Sequence, residues 1–380
     1  MASTNLQAHY PWTTTTPYTQ TKPLLVSAPM HTLASPALAL AVSAAAGIGF
    51  IGPATSPAAC VARLEDAEAR LATDAAYADI RPDARAQYKL PLGMGFLLWD
   101  TDLGSAEQAV TRFRPAAAWL FAPRGEAEGA DPIAELRRWS RALRAAAPGI
   151  RVWVQVGTVR EATALASATV PAEERPDVLV LQGTEAGGHG RAVDGAPLSV
   201  LLPEAGDAVR ASGTGVAVAA AGGVADGRGV LAALALGAQA VVMGTAFLAS
   251  READVPEGYR AAVLTAREGG TGTVRTLLYN HLRGVYGWPA AYSPRVLVNR
   301  SWVEAEREGV EFEEVKRRHD ELRAKGGADS EEAWGREGRL GVYAGMGVGL
   351  VGEVRGAGEI VVAVREEART LARGLVEELA

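Results

Sequence analysis

The sequence is poor in cysteine, aromatic residues and long apolar runs. Its 380 residues include one cysteine, Cys60. No disulfide can form within the chain, so a reducing, cytoplasmic setting is the expectation. Cys60 lies in an alanine-rich helical stretch, where a lone thiol packs as a small hydrophobe. The longest apolar stretch, 36–52, is mostly alanine and is broken by Gly47 and Gly49. It reads as a helix followed by a strand, and no membrane span is expected. Residues 1–20 have no arginine and no hydrophobic segment, which fits a flexible N-terminal tail better than a leader peptide. The terminal Glu-Glu-Leu-Ala is not a peroxisomal tripeptide. Basic charge is not in excess either. The formal net charge is −6, which argues against a nucleic-acid or anionic-membrane partner. His-Glu-x-x-His and cysteine clusters are absent, so no metal is expected. Without a Gly-x-Ser-x-Gly elbow, a serine hydrolase has little support.

Glycine is plentiful, with 43 residues, many of them just behind short apolar runs. Runs at 24–28, 49–51, 92–98, 117–122, 152–156, 178–181, 216–220 and 240–243 read as strands. Helical stretches separate them, at 35–46, 58–73, 132–147, 160–168 and 227–236 among others. This alternation implies parallel pairing with right-handed crossovers. Strands this uniformly apolar fit a sheet buried on both faces. The expected fold is α/β, a closed (β/α)8 TIM barrel over 21–250 and 334–380, in preference to an open doubly wound sheet. Residues 251–333 are richer in Arg, Glu and Tyr and show no further βα unit. They read as a smaller, mainly helical accessory domain on the substrate side, with a charged helical stretch at 304–325 interrupted near Gly309. Residues 342–351 look like a glycine loop returning to the barrel mouth, and 359–379 like a closing helix.

Three strand ends carry the chemistry. Gln182-Gly-Thr-Glu-Ala-Gly-Gly-His189-Gly follows the sixth predicted strand. It sets an imidazole among glycines, which are poor packing partners, at the face where barrel active sites lie. Imidazole titrates near neutrality and suits proton transfer or ligand contact. Glu185 is close enough in sequence to pair with His189, and equally suited to capping a helix. Gly222-Gly223 and Gly244-Thr245 end the seventh and eighth strands. Backbone N–H groups at such turns can cradle a phosphate. His31, after the first strand, is also at the mouth. His281 and His319 lie in the accessory region, where a solvated face is the simpler reading. Gly47-Ile-Gly-Phe-Ile-Gly52 spells a dinucleotide fingerprint but has a helix before it and is itself a strand. It is better read as a helix cap at Gly47, a strand, and a turn at Gly52-Pro53.

These motifs resemble the nitronate monooxygenase (2-nitropropane dioxygenase) family over about residues 23–352. The resemblance rests on Ser27-Ala-Pro-Met30, Gln155-Val-Gly-Thr-Val, the run from Gln182 to His189, Ala220-Ala-Gly-Gly-Val-Ala-Asp-Gly227 and Val242-Met-Gly-Thr-Ala-Phe247. Thr273-Val-Arg-Thr-Leu-Leu-Tyr-Asn-His-Leu-Arg-Gly284 and Gly287-Trp-Pro289 look like the fungal branch. The resemblance implies FMN at the mouth, with Ala28, Pro29 and Met30 against the ring and Gln155, Gln182, Gly187 and Gly188 bordering it. Gly222, Gly223, Gly244 and Thr245 would hold the phosphate, and His189 would be catalytic. The implied reaction is oxidation of an alkyl nitronate with O2 to a carbonyl compound and nitrite, through a flavin semiquinone. His189 would either remove the α-proton of a neutral nitroalkane or hydrogen-bond the nitronate. A homodimer is compatible with the family.

Two positions depart from the bacterial pattern. Gly95 stands where many members have Asn, and Gln155 where they have Lys. The second change removes a cation beside the flavin, and fungal members share the pattern. The rivals are an FMN-dependent NAD(P)H:quinone or enoyl-thioester reductase on the same scaffold, and a non-catalytic phosphate-ligand barrel.

Overall fold

The computed structural model describes residues 6–15, 21–83, 86–324 and 333–379. Its strands, in chain order, are β1 (Leu25–Ser27), β2 (Ile48–Ile51), β3 (Leu90–Leu97), β4 (Pro115–Phe121), β5 (Arg151–Val156), β6 (Val178–Gln182), β7 (Gly188–Arg191), β8 (Ala217–Ala221), β9 (Ala240–Met243), β10 (Thr273–Arg275) and β11 (Tyr292–Leu297). β1 to β6, β8 and β9 form one closed barrel. Every barrel pair is parallel, and β1 joins β9 through Leu25↔Val241, Val26↔Val242 and Ser27↔Met243. All eight expected strands are therefore present, each within two residues of its expected bounds. The barrel architecture follows from their composition, because apolar side chains on both faces are buried by the packed interior and the helical jacket.

An aromatic column fills the barrel below the mouth. Phe50 packs edge-on to Trp119 and Trp153 at ring separations of 5.1 and 5.4 Å, and the two indoles stack at 5.9 Å. Tyr10 continues the column downward, its hydroxyl accepting from Trp153 Nε1 at 2.6 Å. Trp12 donates to the Gly47 carbonyl at 2.9 Å. Both aromatics are buried, so residues 6–15 pack against the barrel and are not the expected flexible tail. The rest of that segment, 1–5 and 16–20, lies outside the described residues.

Helix Pro36–Ala44 ends three residues before Gly47, the glycine that was expected to cap it, and Ala45 takes the cap position. Ala46 takes the left-handed conformation, at φ 60°, and Gly47 donates back to the Val42 carbonyl. The last helix, Ala357–Leu379, is tied to this corner by Arg365, which is 2% exposed. Its guanidinium donates to the carbonyls of Ala45 and Ala46 at 2.9 and 3.1 Å and to that of Pro23 at 3.3 Å. A cation at a helix C-terminus answers carbonyls that have no intrahelical partner. Arg365→Ala leaves these carbonyls buried and unmet. Charge-assisted bonds of this kind contribute about 1.5–3 kcal/mol each, so we expect a loss of roughly 3 kcal/mol or more, read as a lower urea midpoint at unchanged slope.

The accessory segment is not helical alone. It contributes β10 and β11, and β11 pairs antiparallel with β7, the strand that carries His189. The charged stretch forms two helices, Arg300–Glu306 and Phe312–Ala324, with Gly309 between them at φ 67°. Residues 325–332 lie outside the described residues.

Candidate active site

A cavity of about 580 Å³ opens at the C-terminal ends of the barrel strands. Ala28, Pro29, Met30, Gln155, Gln182, Gly187, Gly188, His189, Gly222, Gly223, Gly244 and Thr245 all line it. Thus every residue that the resemblance assigned to the flavin or to catalysis reaches the same space, and His31 joins them.

His189 is held on three sides. Trp288 lies flat on the imidazole, with ring centroids 3.4 Å apart and planes within 6°. Tyr343 stacks beyond at 6.1 Å. Asn280 Nδ2 is 3.0 Å from His189 Nε2. Burial, followed by the charges of Arg283, His31 and Arg275, pushes the His189 pKa well below 6.5. The ring is therefore neutral at physiological pH. Arg275 and Arg295 fix the loop that leads to it. Arg275 donates to the carbonyls of Thr184 at 3.2 Å, Ala186 at 3.4 Å and Ser293. Arg295 donates to Thr184 at 3.0 Å. Burial, helped by Arg295, lowers the Arg275 pKa to about 10. It remains a cation, and its field disfavours imidazolium and favours an anion.

In the same cavity, Gly222 and Gly223 sit at φ 123° and 71°. This backbone is open to glycine and strained for other residues. The N–H groups of Gly223, Val224 and Gly244 have no acceptor among the described residues. Thr245 Oγ1 accepts from Gly345 N at 3.0 Å, leaving its own O–H free to donate. The glycine loop does return to the mouth: a Cβ on Gly347 would lie 2.3 Å from the Gly223 carbonyl oxygen. Unanswered N–H groups beside a hydroxyl donor match the needs of a phosphate. In the floor, Gln155 Oε1 accepts from Trp119 Nε1 at 3.1 Å, which leaves the amide NH2 as a donor. A Cβ on Gly95 would lie 2.6 Å from Pro29 Cβ and 3.0 Å from Pro53 Cδ, so this wall has no room for the bacterial Asn. Among the described lining residues the cation at the mouth is Arg283, bonded to the Tyr279 carbonyl and the Tyr343 hydroxyl.

Of the two roles open to Glu185, the structure shows the cap: both its oxygens accept from Leu198 N, at 2.9 and 3.0 Å, at the start of helix Leu198–Ala211. One reading needs correction. His319 is not on a solvated face. It is 2% exposed and bonds Asp320. Cys60 lies in helix Pro57–Thr73, and burial pushes its thiol up to about 11. Asn280, Arg283, Trp288 and Tyr343 were not foreseen as site residues. The first three fall within the stretches that resembled the fungal branch, and an aromatic residue in a glycine-proline turn was the available signal.

Burial also lowers the pKa of His9, His31 and His319. The unfolded chain binds these protons first, near 6.5, so this contribution to stability is present above pH 6.5 and is lost as pH falls below it. We expect the Tm to drop between pH 7 and pH 5, ahead of carboxylate titration. A Tm that is flat over this range would contradict the buried neutral histidines.

The family model described as Nitronate monooxygenase matches residues 134–324. A nitronate monooxygenase of Metarhizium robertsii is 47% identical over 364 residues, covering 96% of this chain and 95% of its own length. Two solved structures share the fold. FabK of Thermotoga maritima superposes with a TM-score of 0.68 at 22% identity, over 100% of both chains. A nitroalkane oxidase of Streptomyces ansochromogenes gives 0.66 at 22% identity, over 93% of this chain and 98% of its own.

Proposed function

We infer the chemistry of this cavity from a plain premise: the chain belongs to the nitronate monooxygenase family, on its fungal side. It oxidises alkyl nitronates with O2 to carbonyl compounds and nitrite. Members of the family are flavoproteins, and the flavin we assign here is FMN. One observation carries the reading. A neutral imidazole and a set of unanswered N–H groups face one cavity at the barrel mouth. The donors suit a single phosphate, which supports the assignment of FMN.

Gly222, Gly223, Gly244 and Thr245 would hold the phosphate. Ala28, Pro29 and Met30 would lie against the ring, with Gln155, Gln182, Gly187 and Gly188 along its edge. When bound, the flavin supplies electron transfer between nitronate and O2. The chain supplies placement and electrostatics. His189 hydrogen-bonds the substrate, and Arg275 and Arg283 make the region favourable for its negative charge. Trp288 and Tyr343 wall off water around the imidazole, and a drier site strengthens each of these interactions. Residues 251–324 act as the substrate-side cover, because Arg283, Val285 and Trp288 line the cavity from that segment.

The test is an anaerobic absorbance titration of the purified protein with an alkyl nitronate and, separately, with NADH and NADPH. Nitrite release and O2 uptake are then measured in air. We expect a flavin spectral change with nitronate, none with the pyridine nucleotides, and aerobic nitrite formation. Bleaching by NAD(P)H with nitronate inert would move the protein to the reductases.

A further inference from the structure

The other end of the barrel holds a second cavity, of about 320 Å³. Arg151 begins β5, Asp177 precedes β6 and Ala217 begins β8, so these lining residues gather at the N-terminal ends of the strands. The cavity shares no lining residue with the one at the mouth. Arg144, Arg151, Arg175 and His9 line it, and Asp177 is the one acid among its lining residues. Asp177 Oδ2 accepts from Arg144 at 2.7 Å, and Oδ1 accepts from Arg151 at 3.0 Å. Arg151 also donates to His9 Nδ1 at 2.9 Å. Burial and the Arg151 charge lower the His9 pKa, so this ring is a neutral acceptor. Three guanidinium charges against one carboxylate leave an excess of two positive charges in the cavity wall.

Nothing nearby cancels that excess, although the whole chain carries a net charge of −6. Leu6 and His9 bring the N-terminal segment to this wall, and residues 1–20 contain no Asp or Glu. Glu174, next to Arg175, is bonded to Arg137 and Arg141. The guanidinium groups are also short of acceptors. Nε of Arg144 and of Arg175 is buried without a partner, and Arg175 otherwise donates only to the carbonyls of Ala168 and Val170. Burial lowers the Arg144 pKa, and Arg151 lowers it further, against the opposing pull of Asp177. An anion in the cavity would relieve this repulsion. Guanidinium forks match the geometry of phosphate oxygens. Leu6, Pro176 and Val216 add an apolar wall, which suits a small organic group carried on the phosphate.

We propose that this cavity is a second ligand site, which binds a phosphate group through Arg144, Arg151 and Arg175, either as inorganic phosphate or as a small phosphomonoester. Asp177 holds two of the three guanidinium groups in place without neutralising the set. The site lies away from the mouth and stands independently of the reaction assigned there.

The test is a calorimetric titration of the full-length, flavin-loaded enzyme, in which the phosphate cradle at the mouth is already filled. Glycerol phosphate and inorganic phosphate are added separately at constant ionic strength. We expect one saturable site per chain with a Kd below about 1 mM, and the tighter of the two ligands identifies the source of the phosphate. Absence of saturable binding by both overturns the proposal. Arg151→Gln should weaken binding at least about tenfold, the usual worth of one charge-assisted contact, while Arg151→Lys, which keeps the charge, should retain more of it. Flavin content and nitrite release should match the wild type in both variants, because Arg151 does not line the mouth. Unchanged affinity in folded Arg151→Gln would place the bound phosphate elsewhere and overturn the assignment. If that variant fails to fold, Arg175→Gln, which leaves both Asp177 ion pairs intact, carries the same expectation.

Discussion

Replacing His189 with alanine should lower kcat/KM for alkyl nitronates by about 10²–10³-fold, the usual loss when a preorganised donor to a reacting anion is removed from a dry site. Flavin content should stay near that of the wild type, because the substitution leaves the N–H groups of Gly223, Val224 and Gly244 untouched. The imidazole is stacked by Trp288 and held at Nε2 by Asn280, so the substitution removes a group that the fold has positioned. Exogenous imidazole should restore part of the activity, since removal of the ring leaves a slot against the indole face. Steady-state nitrite release with flavin quantified on the same sample checks both halves. A variant with wild-type turnover would remove His189 from the chemistry.

The second large effect is on cofactor retention. Gly222→Val puts a β-branched residue at φ 123°, with its Cβ 3.2 Å from both the N and the O of Gly183. Backbone strain of this kind costs about 1–3 kcal/mol, and relief would require the turn to move. That turn carries the unanswered N–H groups, so phosphate contacts should be lost together. We expect protein with the far-ultraviolet circular dichroism of the wild type, purified with less than about a tenth of its flavin, since each 1.4 kcal/mol is tenfold in affinity. Wild-type flavin content in Gly222→Val would remove this turn from the phosphate site.

The barrel was legible because its strands are short apolar runs with glycine behind them. Burial on both faces leaves that pattern regardless of tertiary detail, and Ala240–Met243 matches to the residue. The second sheet was not legible. β7 reads Gly-His-Gly-Arg, which has neither alternation nor strand propensity, and the strand-favouring residues of β11 are interrupted by Pro294. They are strands because they pair with each other, His189 opposite Pro294, and only the folded chain brings together segments that far apart. The same distance hid Asn280 and Trp288, about a hundred positions from the histidine they hold. Tyr10 and Trp12 were missed for a different reason. Two aromatics in a threonine-rich stretch form no periodic face, yet Trp153 and the Gly47 carbonyl provide polar partners that let them be buried.

The antiparallel pairing of β7 with β11 bears on how such a protein can be recombined. The glycine loop with its histidine looks like a portable cassette between two barrel strands. One edge of that cassette is hydrogen-bonded to a strand encoded a hundred residues later, and its carbonyls are gripped by Arg275 and Arg295 from the same later segment. A chimera that exchanges the loop alone would transfer the residue without its aim. The smallest exchangeable unit is therefore discontinuous in the gene: the loop after β6 together with the stretch from β10 through β11.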